Sequence, residues 1–533
     1  TWFDRTVEHG LEKLEAGYGR LLGWTLNYRF VVVAVMISAA GGAFWLFKSS
    51  KSELAPIEDR GVILVSMNGP DGSTLDYTLK YAQAIERIGQ RMGDMFDRIF
   101  VVAGNPTVAQ GSVFYRAIPW EERSMSTIEA ARKLTPAVTS LPGVTAFPIT
   151  PPSLGQGFRE RPINFLILTQ DTYENLNTVL RQFLAEVAKN PGFVSVDTDL
   201  RLNKPELQVV VDRERAADMG VSVDAIARAV ETMMGGRNVT RFKRNGEQYD
   251  VIVQTQSTNR NTPQDIEKIF VRGRGDAMIP LSSLLKVNEV VAPRELNHFA
   301  QRRSASITAN IAPDYSLGEA LEFLNATASK VLKEGYVTDL NGTSREYRNS
   351  SGSLGMVFAL ALVFIFLVLA AQFESFIDPL VILFSVPLSM VGALLALKWS
   401  GGTINVFSQI GLITLVGLIS KHGILIVEFS NQLRAKGMDV TSAVKEAATL
   451  RLRPILMTTG AMVLGAIPLA LAEGAGAESR RQIGWVIVGG MSLGTMLTIF
   501  VVPTMYTLFA RQSTPGAKTT PVDHHDHAGA HGA

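Results

Sequence analysis

Residues 30–47, "FVVVAVMISAAGGAFWLF", form an uncharged apolar run long enough to cross a bilayer as a helix. The next such run comes only at 354–372, and others follow closely at 378–398, 404–428, 454–472 and 483–510. The pattern predicts one membrane span, a large polar insert, then five spans. Ahead of the first run, Phe3, Val7, Leu11, Leu14, Tyr18, Leu21 and Leu22 recur at steps of mostly three and four, with charges between them. That spacing predicts an amphipathic helix over 1–28 lying along the membrane interface.

The insert alternates strand and helix patterns. "GVILVSMNG" reads as a strand, "STLDYTLKYAQAIERIGQRM" as a helix with a Ser/Thr start and "DRIFVVAG" as a strand. The sequence repeats this order in "INFLILTQD", "YENLNTVLRQFLAEVAKN" and "FVSVDTDL", and "SASITANIAP" precedes the helix "SLGEALEFLNATASKVLKEG". Between these, 206–294 carries short strands, turn signals and one helix, "VDAIARAVETMMGG". Two α+β sandwich subdomains are expected, the second interrupted by a strand-rich insertion. The Gly/Ala/His-rich tail, 512–533, is expected to be disordered.

Composition agrees with two kinds of region averaged together. Of 533 residues, 47% are hydrophobic, yet the mean hydropathy is only +0.16. A net charge of +2 without a basic stripe gives no sign of a nucleic-acid partner. The absence of cysteine excludes disulfides, thiolate metal sites and cysteine nucleophiles. No phosphate-binding glycine loop and no nucleophile–base set stands out, so neither an enzyme nor a cofactor is expected. The chain opens on Thr1 with no signal peptide, which suggests that it begins inside a longer protein. Arg434, Lys436, Lys445, Arg451 and Arg453 in 430–453 place that connector in the cytoplasm and the insert outside, against the dissent of Arg480 and Arg481.

One charge breaks the pattern. Lys421 lies inside "GLITLVGLISKHGILIVEFSN", where a lone lysine costs at least about 2.5–3.5 kcal/mol and faces protein or water. Glu428 is two turns away, Glu374 and Asp378 sit at a cytoplasmic turn, and Glu473 ends its span. No span holds an acid at its centre, so the counter-ion is expected outside this chain, unless the lysine snorkels or is neutral. Arg451 and Thr458, seven residues apart, share one helix face. On spacing alone Arg451 also reads as a cytoplasmic anchor.

"GLISKHGILIVEF", "RLRPILMTTGAMVLGAIPLAL" and "LVLAAQFESFIDPLVILFSVPLSMVGALLAL" closely resemble the resistance-nodulation-cell division (RND) transporters. Their nearest likeness is the hydrophobe/amphiphile efflux branch of AcrB-like pumps, and "VDRERAADMGVSVDAIARAVETMMGG" fits the same family. The resemblance covers residues 1–511 and matches the C-terminal half only. It implies a polytopic α-helical membrane protein with six transmembrane helices, a first span at 29–48 and a five-helix bundle at 350–511. The implied periplasmic insert has porter subdomains at 52–150 and at 151–208 with 295–345, and a docking subdomain at 209–294. The interfacial helix would be the connector between the halves.

The same resemblance implies drug/proton antiport: export of amphipathic and hydrophobic compounds, driven by the proton-motive force, from the inner membrane of a Gram-negative cell. The expected assembly is a homotrimer with a periplasmic adaptor protein and an outer-membrane channel. Lys421, Arg451 and Thr458 would form a proton relay facing paired aspartates in the missing N-terminal half. Phe100 and Phe114 match substrate-pocket aromatics, although plain sandwich core explains them equally well. The short loop "GNPTVAQGS" (104–112) lacks the phenylalanines common in the family's gating loop, so substrate range does not carry over.

Weaker signals have simpler readings. His422 sits about 100° round the helix from Lys421 and is expected to pack against neighbours rather than join the relay. His524, His525, His527 and His531 belong to an incidental tail more readily than to a metal site. Met233 and Met234 read as packing rather than as thioether ligands. Gly490 and Gly494 mark a close helix contact. The rival functions are a lipid- or metal-exporting RND relative, and a non-transporting scaffold or protein-export auxiliary.

Overall fold

The structure, a computed structural model, describes residues 2–154, 161–293, 295–312 and 315–510, with side chains from Glu12 onward. The side chains of Phe3, Val7 and Leu11 and the tail with its four histidines lie outside the described residues. Helix α1 (Trp2–Asn27) precedes the first long apolar helix, α2 (Arg29–Ser49). Tyr18, Leu22 and Leu26, one turn apart, are buried in the helix-bundle core, and the Tyr18 hydroxyl donates to the Ile499 carbonyl at 2.7 Å. Leu14 and Leu21 of the same amphipathic pattern remain exposed. Part of this apolar face therefore meets protein.

The first soluble unit runs β1 (Val62–Asn68), α3 (Leu75–Gln90), β2 (Phe96–Ala103), β3 (Gln110–Ala117), α4 (Thr127–Thr139) and β4 (Thr145–Ile149). Its antiparallel sheet has the order β2-β3-β1-β4. Thr74 and Ser126 start the helices by accepting from Tyr77 N and Glu129 N. Alternate residues Ile63, Val65 and Met67 point to the helices and share a core with Ile85, Leu134 and Tyr115.

The second unit begins β5 (Ile163–Thr169), α5 (Tyr173–Val187) and β6 (Phe193–Thr198). The chain then leaves through β7 (Lys204–Val211), α6 (Arg213–Asp218), α7 (Val223–Val230), β8 (Arg237–Arg244), β9 (Glu247–Val253), β10 (Phe270–Arg272), β11 (Met278–Pro280) and β12 (Leu285–Ala292). It returns with β13 (His298–Phe299), β14 (Arg302–Ile311), α8 (Leu317–Val331) and β15 (Tyr336–Leu340). β14 pairs with both β5 and β6, and β5 also pairs with β15. The order β6-β14-β5-β15 repeats that of the first unit, so both are βαββαβ folds. A short loop joins β2 to β3; between β6 and β14 stands the whole excursion.

The excursion has its own small core around Ala216, Val221, Ile226, Leu281 and Leu284. Two helices appear where the sequence predicts one. Asp212 caps the extra helix, α6, by accepting from Arg215 N at 3.1 Å, and six residues are too few for a periodic signal. α7 continues as a single π turn, Glu231–Gly235, which carries Met233 and Met234. Asn245 and Gly246, both at positive φ, turn the β8–β9 hairpin.

Among the described residues, six helices are long and apolar enough to cross a membrane. They are α2, α9 (Gly342–Phe373), the pair α10 (Ile377–Leu383) and α11 (Ser385–Trp399), α12 (Val406–Ala435), α13 (Val440–Ala470) and α14 (Ala477–Phe509). The α10–α11 break falls at Phe384, where Pro387 lacks the N–H that would reach the Leu383 carbonyl. Three helices start before their apolar runs: α9 at 342 rather than 354, α13 at 440 rather than 454, and α14 at 477 rather than 483. The basic connector is mostly helix, with its turn confined to 436–439. Hydropathy marks what suits hydrocarbon, whereas the backbone ladder continues into polar sequence. Arg480 and Arg481 donate to the carbonyls of Gly476, Ala475 and Ala472, which gives these two cations a local task.

Residues 51–59 tie the soluble region to the bundle. Ser52 bridges to Ile404, Glu53 accepts from the Thr403 hydroxyl at 2.5 Å, and Asn405 reaches Gln482 of α14. Glu58 accepts from Ser479. Asp59, fully buried, accepts from Thr127 N at 2.6 Å and pairs with Arg123 at 3.0 Å.

Candidate functional site

Asn405 starts α12 by accepting from Phe407 N and Ser408 N at 3.0 and 3.1 Å. The buried face then follows helical periodicity through Leu412, Leu415, Val416, Ile419, His422, Gly423, Ile426 and Val427. Ile410, Thr414, Gly417 and Lys421 fall at steps of four, three and four, and all are exposed. Lys421 therefore stands midway along an apolar helix, in a stripe that the described residues leave uncovered. No hydrogen bond or ion pair joins it to a described residue. Among the acids weighed from sequence, Asp378 instead accepts from Asn431 at 3.1 Å and Glu428 from Gln432 at 3.1 Å.

Arg451 and Thr458 lie on α13, which runs antiparallel to α12. The Arg451 guanidinium stacks on Phe429 of α12 at 4.4 Å, an orientation favoured by the ring's negative face. Its Nε is buried without a hydrogen-bond partner among the described residues, and no described acid pairs with it. Two cations of this helix pair thus lack a described carboxylate. The Thr458 hydroxyl donates back to Pro454 and Ile455 carbonyls, both at 3.0 Å. The contacts 422–459 and 429–451 put Lys421 and Thr458 at one level, with Arg451 two turns along.

A buried polar node was not foreseen as such. His422, with no exposed surface, meets Thr459 through Nε2 at 3.2 Å and Thr495 through Nδ1 at 3.3 Å. The two threonine hydroxyls are 3.2 Å apart. The available signal was the imidazole itself, because a buried polar group requires partners. A second network joins Asp378, Asn431, Tyr506 and Arg434 across α10, α12 and α14, with Arg434 Nη1 donating to the tyrosine oxygen at 2.9 Å.

Phe100 and Phe114 face each other on β2 and β3, their ring centroids 6.1 Å apart. Neither belongs to the helix-packed core. They continue a cross-strand row from Ile149 and Leu64 on the opposite sheet face. Along that row burial falls from complete at Leu64 to a 64% exposed ring at Phe100. The same face meets the second unit where Arg161 lies over Phe147 at 4.0 Å.

The sequence profile of the AcrB/AcrD/AcrF family matches residues 1–510. Over 522 residues the chain is 34% identical to an uncharacterised transporter of Haemophilus influenzae, covering 97% of this chain and 50% of that protein. It is 31% identical over 516 residues to the toluene efflux pump membrane transporter TtgB of Pseudomonas putida, covering 95% of this chain and 48% of the relative. Against the antibiotic efflux pump membrane transporter ArpB of the same species, identity is 31% over 520 residues, again covering 95% and 48%. The chain spans about half the length of these curated relatives. With six apolar helices, two alike sheet units and a match over nearly all of its length, the chain is a multi-pass membrane protein that belongs to the AcrB/AcrD/AcrF family of RND permeases, a family of transporters.

Proposed function

We propose that this chain is the C-terminal half of a proton-driven RND efflux transporter that exports amphipathic and hydrophobic compounds. The observation that carries the reading is Lys421: a cation midway along an apolar helix, exposed, with no described partner. A carboxylate presented by the other half would cover the stripe and satisfy the lysine. Ionised, that carboxylate pairs with the ammonium; protonated, it releases it. Proton passage then switches a pair of helices between two arrangements. Arg451, whose buried Nε also lacks a described acceptor, and Thr458, level with Lys421, complete the relay.

The two βαββαβ units serve as porter subdomains and the excursion as the docking subdomain, in the periplasm of a Gram-negative cell. Phe100 and Phe114 contribute apolar surface to the substrate path, since aromatic faces accept varied ligands without a fixed polar pattern. The efflux pump names of the relatives support the substrate class, and the family supports a homotrimer with an adaptor and an outer-membrane channel. The test is Lys421→Ala in the complete transporter. Transport should disappear while membrane insertion and assembly persist; undiminished export would refute the relay.

A further inference from the structure

We propose that His422 is a positioning residue for the relay, holding Lys421 and Thr458 in register through a closed ring of hydrogen bonds that joins α12, α13 and α14. This rests on the proton-coupling reading above.

The ring consists of His422, Thr459 and Thr495, linked at 3.2, 3.2 and 3.3 Å. Each member has one donor and one acceptor to give, provided that the imidazole is neutral. In one direction Nδ1–H donates to Thr495, Thr495 to Thr459, and Thr459 to Nε2; in the other all three bonds reverse. Either way each ring atom is satisfied, in a buried site where an unmade bond is expensive. Residue exposures of 0%, 8% and 2% show how completely the node is enclosed.

Its position gives the ring its role. His422 follows Lys421 in sequence, and Thr459 follows Thr458. A bond between the second members of these pairs fixes the height and the rotation of the first members. Thr495 anchors both to α14, against which α12 is already close at Gly490 and Leu415. Sliding α12 along α13, or turning it about its axis, would break the ring before it moved Lys421 from the uncovered stripe.

The experiment compares His422→Leu, His422→Asn, Thr495→Val and Thr495→Ser with Lys421→Ala in the complete transporter, reconstituted with an imposed proton gradient and a fluorescent amphipathic dye. His422→Leu and Thr495→Val should each reduce kcat for export at least tenfold, with KM for the dye and membrane level near wild type, alongside a lowered melting midpoint from the broken ring. His422→Asn and Thr495→Ser, which keep a donor and an acceptor, should recover most of the loss. If His422→Leu does not accumulate, Thr495→Val, which preserves shape and the histidine, decides the matter. Wild-type kcat in His422→Leu or Thr495→Val overturns the inference, as does a loss seen in melting midpoint alone. If Lys421→Ala is inactive while the ring variants are normal, only the positioning role falls; if Lys421→Ala exports normally, both readings fall.

Discussion

The guanidinium of Arg161 lies 4.0 Å from the centre of the Phe147 ring, so a side chain leading into the second soluble unit covers the sheet of the first. Arg161 also donates to the Ser195 carbonyl at 2.6 Å and the Thr308 carbonyl at 3.3 Å, and faces Asp197 at 3.8 Å. Asp197 in turn holds Arg201, which approaches Asp71 of the first unit at 4.0 Å. Replacing Arg161 by Ala strands partly buried acceptors, at about 1–2 kcal/mol. The melting midpoint of the purified protein should fall, and Lys should not restore it, because the planar fork both stacks and donates to several acceptors. An unchanged midpoint in R161A would contradict this account of the interface.

Helices α11 and α14 touch at their glycines. A methyl on Gly489 would overlap Ala396 and come within 2.6 Å of the Gly392 carbonyl. Gly489→Ala is therefore expected to destabilise the bundle by about 1–3 kcal/mol. Gly417, in the uncovered stripe beside Lys421, meets nothing within 4 Å, so Gly417→Ala should leave the bundle's own stability intact. Thermal unfolding in detergent separates the two; equal effects would show that the α11–α14 seam is not tight.

Burial raises the Glu53 carboxyl above its ordinary value, against the opposing pull of the Thr403 hydrogen bond and the Lys51 charge. The folded protein thus keeps a proton at pH values where the unfolded chain has lost it. That contribution is complete below the ordinary carboxylate range, about pH 4, and is lost as pH rises through the raised value. Glu53→Gln retains an acceptor for Thr403 and never ionises. Its melting midpoint should exceed that of the wild type near neutrality and converge with it in acid. A constant difference across pH would mean that Glu53 does not titrate in this window.

Phe100 is 64% exposed and lies outside the helix-packed core. Phe100→Ala should change stability by no more than about 0.5 kcal/mol. If the ring lines the export path, the same substitution lowers transport of bulky apolar dyes severalfold while sparing small ones. Loss of stability without a change in dye selectivity would return Phe100 to a structural role.

What the sequence revealed depended on the range of the signal. The apolar runs exposed all six spans because hydrocarbon length is a local property, and Lys421 stood out because it violated one of them. The first fourteen residues of α13 carry no such mark: they are helical in polar sequence. The shared sheet order rests on β14 returning to β5 and β6 after a long excursion, a pairing that alternation cannot specify. The His422 ring joins positions 37 and 73 residues away, and only packing brings them together. Phe100 and Phe114 were ambiguous because strand periodicity assigns residues to one of two faces without saying which one helices cover.

Glu58 and Asp59 are consecutive, yet they grip different bodies. One accepts from Ser479 in the first turn of α14, and the other receives the opening N–H of α4. A single planar peptide unit is all that separates the two attachments. With so little slack, a tilt of the last membrane helix has two outcomes: it drags the soluble helix along, or it tears one carboxylate loose. The dipeptide is a tie rod, and its shortness sets the gearing between the bilayer and the domain above it.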